Sequence, residues 1–202
     1  DLKTVVVTSS NTAANQLLVY DSTGALVQSA ATTGHGGVAG NAGGIAAERG
    51  LVAVVNFNSQ SVSVFERGSG GFTLTQVVTT ASKPVSVAFG NHHLYVLGTM
   101  TAESHRVDGS SVEAVPDGAV PLVKADGSAA QIGVVGNQLL ITEKSNTVEV
   151  VDTRGGAVVG PAAAIAIPPT SDTPLGLATR GANGYVTIAH SDEVGLVKNG
   201  RW

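Results

Sequence analysis

Short apolar runs separated by glycine- and asparagine-containing turns recur along the chain, and this pattern predicts β-strands. The clearest stretch contains four such runs, Gly44–Ala47, Leu51–Val55, Ser61–Phe65 and Phe72–Val77. The second run is apolar throughout, as expected of a strand buried on both faces, whereas the third alternates apolar and polar residues. No stripe has the 3.6-residue period of an amphipathic helix. We name these four predicted strands a, b, c and d.

The same order of strands repeats along the sequence with a nearly constant period. An acidic residue ends each predicted strand c at intervals of 45, 42 and 44 residues, and a turn asparagine recurs at intervals of 46. The two series are Asp21, Glu66, Asp108 and Asp152, and Asn91, Asn137 and Asn183. Four short strands in about 43 residues are typical of one blade of a β-propeller.

The sequence therefore predicts an all-β fold, a β-propeller of four-stranded antiparallel blades. Residues 1–202 are predicted to form a single, partial propeller domain of about five blades, whose approximate ranges are 1–34, 38–78, 84–123, 129–168 and 174–202. The first blade starts at strand b and the last stops after strand c, near Val197. Uncovered blade faces would expose apolar surface, so we expect further blades or self-association to complete the ring. A closed five-bladed ring is the alternative.

Composition excludes several classes of function. The net charge of -4, without a cluster of Lys or Arg, offers no footprint for nucleic acid. The chain has no cysteine, which excludes disulfides and thiolate metal sites. Its longest apolar stretches, such as 162–167, are far shorter than the ~20 residues of a membrane span. Low charge with abundant Ser, Thr and Gly slightly favours a secreted or periplasmic protein over a cytoplasmic one.

Motif analysis predicts neither a cofactor nor a metal ion. The sequence lacks a nucleophile elbow, a phosphate-binding loop and a His/Asp cluster with metal-ligand spacing. His92 and His93 are adjacent, so in a strand their side chains point to opposite faces and cannot share one ion. The glycine-rich segment 33–44 contains His35 and formally matches a dinucleotide fingerprint, but its further glycines cannot form the helix that the fingerprint requires.

Several segments resemble one known family. These are residues 51–66, 82–88 and 94–97, and above all 140–148, where an apolar strand is followed by Glu143 and an Asn-Thr-Val strand start. The pattern is similar to that of lactonase-like seven-bladed propellers, which include propeller-type 6-phosphogluconolactonases and carboxymuconate cyclases. This resemblance implies a seven-bladed ring that hydrolyses or forms a sugar or muconate-type lactone at the channel face.

Candidate site residues follow from the ends of the b strands, which emerge on the face where propellers commonly bind ligands. The copies align Ser9, Asn56, Thr99, Glu143 and His190 near this place. As a lactonase site, Glu143 or His190 would act as general base on water, and Arg180 or Arg201 would balance a substrate anion. Ser9, Asn56 and Thr99 would contact the lactone or sugar. The alternative for all of these residues is an ordinary polar turn at a strand end.

A second function from another class also fits the sequence. At the start of strand a the chain has Pro84-Val85 and Pro174-Leu175, where enzymes of the family tend to carry Pro-His. The alternative is a noncatalytic extracytoplasmic propeller that binds a protein or glycan. An enzyme should bring Glu143, His190 and an arginine together at one pocket, whereas a binding module should leave them apart.

Overall fold

The computed structural model of the protein describes residues 4–202, and these residues form nineteen β-strands in five antiparallel sheets. One short 3₁₀ turn lies at Phe57–Ser59, and no α-helix occurs in this part of the chain. None of its helical segments has the length and apolar character needed to cross a bilayer. The predicted all-β architecture of successive blades is confirmed.

The strands of the first three sheets follow the chain order within each sheet. They are β1 (Thr4–Ser9), β2 (Gln16–Asp21) and β3 (Leu26–Ala31); β4 (Ile45–Glu48), β5 (Leu51–Asn56), β6 (Ser61–Gly68) and β7 (Gly71–Thr79); and β8 (Pro84–Gly90), β9 (His93–Gly98), β10 (Thr101–Asp108), β11 (Ser111–Val112) and β12 (Gly118–Pro121). Both β11 and β12 pair with β10, so the outermost strand of the third sheet is interrupted. Pro116 lies in the interruption, where it has no N–H to give to a ladder.

The last two sheets are also meanders of neighbouring strands. They contain β13 (Ala129–Val135), β14 (Gln138–Glu143), β15 (Thr147–Arg154) and β16 (Ala157–Ile165); and β17 (Pro174–Arg180), β18 (Asn183–Ile188) and β19 (Glu193–Lys198). Strands a and b are joined by two-residue turns that need positive φ, such as Asn91 (φ 50°) and His92 (φ 59°). Asn137 lies in the corresponding turn and Asn183 begins β18 directly after its turn, so the repeated asparagine marks the a–b hairpin.

Four hydrophobic clusters lie between the five sheets, one at each junction of consecutive sheets. Strand β5 contributes to two of them, because Val52 and Val54 face the first sheet whereas Ala53 and Val55 face the third. A strand packed on both faces must be apolar at every position, which explains its continuous apolar run. Tyr95 lies in the cluster between the third and fourth sheets and is fully buried. The sheets are therefore stacked face to face, as blades are.

The five sheets form an open arc rather than a closed ring. The first and last described sheets contain three strands each, and each turns apolar side chains to solvent. Val6 and Leu26 are 51% and 53% exposed on the first sheet, and Val194 and Leu196 are 68% and 46% exposed on the last. Apolar exposure on this scale is typical of an unfinished packing surface. Membership of a seven-bladed ring stays a prediction.

Two faces of the arc are used below. The linker face carries the b–c turns and the segments that join one sheet to the next, 32–44, 80–83, 122–128 and 166–173. The hairpin face carries the a–b and c–d turns at the other ends of the same strands. A strand of six or seven residues separates the two faces by about 20 Å.

Candidate functional site

The b strands end on the linker face at corresponding positions of the sheets. These strand ends are Ser9, Asn56, Gly98, Glu143 and Ile188. Ser9, Asn56 and Glu143 thus occupy the aligned position itself, while Thr99 follows it by one residue and His190 by two. All five predicted residues lie on the linker face, but in five different sheets.

Asn56 is the centre of a buried polar network between the first two sheets. Its side-chain oxygen accepts hydrogen bonds from Asn15 Nδ2 (2.9 Å) and Thr32 Oγ1 (2.7 Å), and its Nδ2 donates to Ser63 Oγ (2.8 Å) and Ser61 Oγ (3.3 Å). The side chain has no solvent exposure. Both the oxygen and the nitrogen of the amide are therefore hydrogen-bonded within the protein, and Asn56 holds the two sheets together.

Ser9 belongs to the edge of this network. Its hydroxyl donates to Asn15 Oδ1 at 2.8 Å, and Asn15 Oδ1 also accepts a hydrogen bond from the backbone N–H of Asn11. Asn15 also donates to the Val55 carbonyl of the second sheet. Ser9 thus supports the b–c turn of the first sheet.

Glu143 is fully buried at the end of strand β14. Ser128 Oγ donates to its Oε2 at 2.7 Å, and Ser145 Oγ lies 2.7 Å from the same hydroxyl. Its Oε1 has no hydrogen-bond donor within residues 4–202. An unpaired buried carboxyl oxygen is costly when ionised, so this side chain favours its neutral form.

The surroundings of Glu143 are acidic as well as buried. Burial raises the pKa of Glu143 to about 8, the Ser128 hydrogen bond lowers it in part, and the neighbouring Glu149 and Asp126 carboxylates raise it again. At neutral pH the carboxyl therefore carries a proton for most of the time. A protonated carboxyl acts as a hydrogen-bond donor or an acid rather than as a general base.

Glu149 fastens the fourth sheet to the linker that precedes it. Its two carboxylate oxygens accept the backbone N–H groups of Val123 (3.0 Å) and Lys124 (2.8 Å). Glu103 occupies the corresponding position of the third sheet and accepts the N–H of Ala81 at 3.0 Å. A repeated carboxylate on strand c thus satisfies linker backbone that would otherwise be unpaired.

His190 is exposed on the turn after β18. Its Nδ1 lies 3.0 Å from Thr173 Oγ1 and 3.4 Å from Asp172 Oδ2, and the Thr173 N–H donates to Asn146 Oδ1 at 2.8 Å. Asn146 is in the b–c turn that follows Glu143, so His190 and Glu143 are on neighbouring turns of one rim. The imidazole is open to solvent whereas the carboxyl is enclosed.

The two predicted arginines are on the other side of the arc. Arg180 ends strand β17 and pairs with Asn183 at the a–b turn, and Arg201 pairs with Lys198 beyond the end of β19. Both positions belong to the hairpin face. They are separated by a strand length from His190, so no arginine from the predicted set meets the histidine or Glu143.

The glycine-rich segment 33–44 crosses the linker face. The Asn11 side chain accepts the Val38 N–H and donates to its carbonyl, and Asn58 donates to the backbone of the same segment at 2.8 Å. Farther along, Asn41 Nδ2 donates to the Ala129 carbonyl of the fourth sheet at 2.6 Å. Val38 packs on both central hydrophobic clusters. The segment is thus a fixed cover that bridges several sheets.

Sequence reasoning missed the cations of the linker face. Lys83 lies in the linker before β8, and its ammonium is 5.1 Å from the ring centre of Phe57. The Lys144 ammonium lies 3.5 Å from the place that a Cβ on Gly40 would occupy. Lys144 directly follows the aligned strand end Glu143, and Lys83 directly precedes β8, and these positions were the available signal.

Two pairs of a buried histidine with a carboxylate were also missed. In the third sheet, His93 Nε2 is 2.8 Å from Asp117 Oδ2 and its Nδ1 faces the Asn91 carbonyl at 2.8 Å. Burial raises the pKa of Asp117, but hydrogen bonds from Ser104 and His93 outweigh it and hold the pKa below its usual value. His93 also stacks on Tyr95 with ring centres 5.9 Å apart. These contacts lie within the third sheet, whereas the Tyr95 hydroxyl donates to the Gly156 carbonyl of the fourth sheet at 2.8 Å.

On the opposite side of the third sheet, His105 Nε2 is 3.2 Å from Glu103 Oε1, and its Nδ1 faces the Glu113 carbonyl at 2.8 Å. Both side chains of this pair are buried. In the part of the chain that the structure describes, no three His, Asp or Glu side chains are grouped so that they could hold a metal ion. These histidines are therefore interior hydrogen-bonding groups.

Comparison with known proteins supports the architecture but does not identify a family. No protein-family model and no curated protein matches the sequence. Among solved structures, the computationally designed Ika8 protein matches with a TM-score of 0.63 at 10% identity, over 97% of this chain and 55% of its own. BamB from Moraxella catarrhalis matches with a TM-score of 0.63 at 10% identity, over 98% and 56% of the two chains. The chain thus spans about half the length of these two proteins.

A third similar structure is a candidate 6-phosphogluconolactonase from Bacteroides uniformis, with a TM-score of 0.52 at 14% identity over 95% of this chain and 76% of its own. Identities this low show a shared fold and not a shared activity. The chain has the β-propeller fold.

Proposed function

We propose that this chain is a noncatalytic β-propeller that binds a protein through its linker face. The observation that carries the proposal is the separation of the residues that a lactonase site would need. Glu143 is fully buried, His190 is exposed, and Arg180 and Arg201 lie on the hairpin face. Catalysis needs such groups within hydrogen-bond reach of one substrate.

The surface of the linker face suits a macromolecule better than a small ligand. A cavity there, beside His35, has a volume of about 240 Å³, below the ~300–1,000 Å³ typical of small-molecule sites. The linker face also exposes hydrogen-bonding side chains such as Asn58, which contacts the glycine segment, and Asn146 and His190. Fixed backbone with polar side chains is typical of a protein-binding surface that needs little ordering on binding.

A protein partner is favoured over a glycan by the aromatic side chains. Neutral sugar rings commonly stack on exposed aromatic faces, but Phe57, the aromatic residue of the described linker face, is half-buried beneath Lys83. The linker face therefore offers hydrogen bonds and charge without a stacking platform.

The proposal predicts that changes to the two faces have different effects on partner capture. Both His35 and His190 are exposed on the linker face. We therefore expect the double variant His35→Glu with His190→Glu to capture at least tenfold less of a cross-linked partner than the wild-type chain does. Arg180→Glu on the hairpin face should retain that partner. Quantitative mass spectrometry of the cross-linked species measures the amount of partner captured by each variant. Equal capture by all three proteins would contradict the proposal.

One observation favours lactone chemistry as a second candidate. A buried carboxyl with a pKa of about 8 and a free oxygen resembles the acids that enzymes use near neutral pH. We expect the protein to leave the rate of δ-gluconolactone hydrolysis at its uncatalysed value, measured by pH-stat. Acceleration that is lost in Glu143→Gln, a variant that cannot donate a carboxyl proton, would instead support the lactonase and overturn the noncatalytic proposal.

A further inference from the structure

The hairpin face contains a cleft between the fourth and fifth sheets that differs from its neighbours. Its volume is about 530 Å³, within the ~300–1,000 Å³ of typical ligand sites. The floor is the Gln138–Asp152 pair, joined by a hydrogen bond of 2.8 Å from Gln138 Nε2 to Asp152 Oδ1. The turns at 181–182 and 199–200 of the fifth sheet form its walls.

Backbone hydrogen bonds tie together the turns that border the cleft. The Gly136 N–H donates to the Gly181 carbonyl at 3.0 Å and ties the a–b turns of the two sheets together. The Thr153 N–H donates to the Asn137 carbonyl at 2.8 Å. Apart from the Gln138–Asp152 pair, the contacts that border the cleft are therefore made by backbone atoms.

Three of these side chains have unused hydrogen-bonding capacity. Within the described residues, Arg154 forms no ion pair, and the amide groups of Asn137 and Asn199 make no hydrogen bond. A guanidinium presents a planar fork of donors that matches a carboxylate. The Asp152 carboxylate and the two amide oxygens, in contrast, accept hydrogen bonds from hydroxyl groups.

The corresponding cleft between the third and fourth sheets provides an internal comparison. Its volume is about 380 Å³, and it also contains an arginine, Arg106. There, however, Asn91 Nδ2 donates to the Gly136 carbonyl at 3.2 Å, and the His93 ring is engaged by Asp117. The free amides are thus a property of the larger cleft and not of the fold as a whole.

We propose that the cleft between the fourth and fifth sheets binds an acidic sugar, with its carboxylate on Arg154 and its hydroxyls on Asp152, Asn137 and Asn199. A ligand with both groups is required, because Asp152 would repel a simple anion and Arg154 would gain little from a neutral sugar. This site is independent of the linker face and of the partner proposed for it.

The test uses D-glucuronate as the probe, with D-glucose and acetate as the comparison ligands. We expect backbone amide signals of Gly136, Asn137 and Arg154 to shift in an NMR titration with glucuronate, and the other two ligands to bind about tenfold more weakly or less. Loss of the charge-assisted contact in Arg154→Gln should weaken glucuronate binding by about tenfold or more.

Arg180→Gln is the matched control, since it removes the same charge from the same face without lining the cleft. We expect it to bind glucuronate within twofold of the wild-type affinity. The proposal is overturned if wild-type protein does not prefer glucuronate over glucose and acetate, or if the two arginine variants lose affinity equally. Thermal melts of both variants, which change exposed side chains, check that each is folded.

Discussion

Replacing Asn56 by alanine is expected to lower the free energy of unfolding by about 3 kcal/mol, because it breaks a buried network and leaves a cavity. Thr32 Oγ1 and Ser63 Oγ lose partners at 2.7 and 2.8 Å, and both side chains have no solvent exposure. Both hydroxyls keep a backbone acceptor, so the loss comes from the hydrogen bonds to Asn56, each contributing about 0.5–1.5 kcal/mol, and from the cavity that the amide leaves. Urea denaturation followed by far-UV circular dichroism measures the effect.

Asn137→Ala is the matched control for this prediction. The Asn137 side chain is exposed on the hairpin face and makes no hydrogen bond within residues 4–202, so the same substitution there should change stability by less than about 0.5 kcal/mol. Equal effects of the two substitutions would show that the network around Asn56 does not hold the first two sheets together.

The stability of the protein should fall between pH 5 and pH 8 because of Glu143. In the unfolded chain this carboxyl titrates near its ordinary pKa of 4.5, whereas in the folded chain its pKa is about 8. Between these values the folded state holds a proton that the unfolded state has released, so raising the pH favours unfolding. For one proton the slope is at most about 1.4 kcal/mol per pH unit. Above pH 8 this contribution should be fully lost.

Glu143→Gln isolates the contribution of that proton. The amide is neutral at every pH, can accept from Ser128 and can donate toward Glu149, so the variant should show a flatter profile and exceed wild-type stability at pH 9. Glu66→Gln, which changes an exposed carboxyl, should leave the wild-type profile unchanged. If the stability of the wild type and of Glu143→Gln changed with pH in parallel, the loss of stability between pH 5 and pH 8 would not come from Glu143.

The pH range of this measurement matters because Asp117 acts in the opposite direction. Its pKa is lowered by Ser104 and His93, so its contribution to stability is present above the ordinary pKa of 3.8 and is lost as the pH falls below it. Denaturation curves at pH 5 and above therefore report on Glu143 without the acidic transition of Asp117.

The fold could be predicted from the sequence because its cause is local and repeated. A run such as Leu51–Asn56, apolar at nearly every position and bounded by turn residues, is typical of a strand covered on both sides. The two-residue turns need positive φ, which Asn91 and the turn glycines accept at low cost. Each blade carries these signals again, so the period of the sequence predicts the stack of sheets.

The candidate site could be predicted only in part. The repeat correctly identified Ser9, Asn56 and Glu143 as strand ends that share one face, since equal positions in equal blades are equivalent in space. It could not show that Asn56 and Glu143 point into the junctions between sheets, because that depends on Thr32, Ser128 and similar residues of the preceding linker. Asn56 and Glu143 are buried because neighbouring blades and their linkers pack over them.

What the sequence determined by itself is therefore the stacking of antiparallel sheets, a consequence of apolar periodicity and turn chemistry within single repeats. Only the tertiary structure decided that Arg180 lies a strand length from His190 and that Arg154 faces a cleft with unpaired amides. Hairpin register sends successive turns to opposite faces, and a cleft forms only where two sheets meet. Such relations join residues that are distant in the chain, and no local pattern records them.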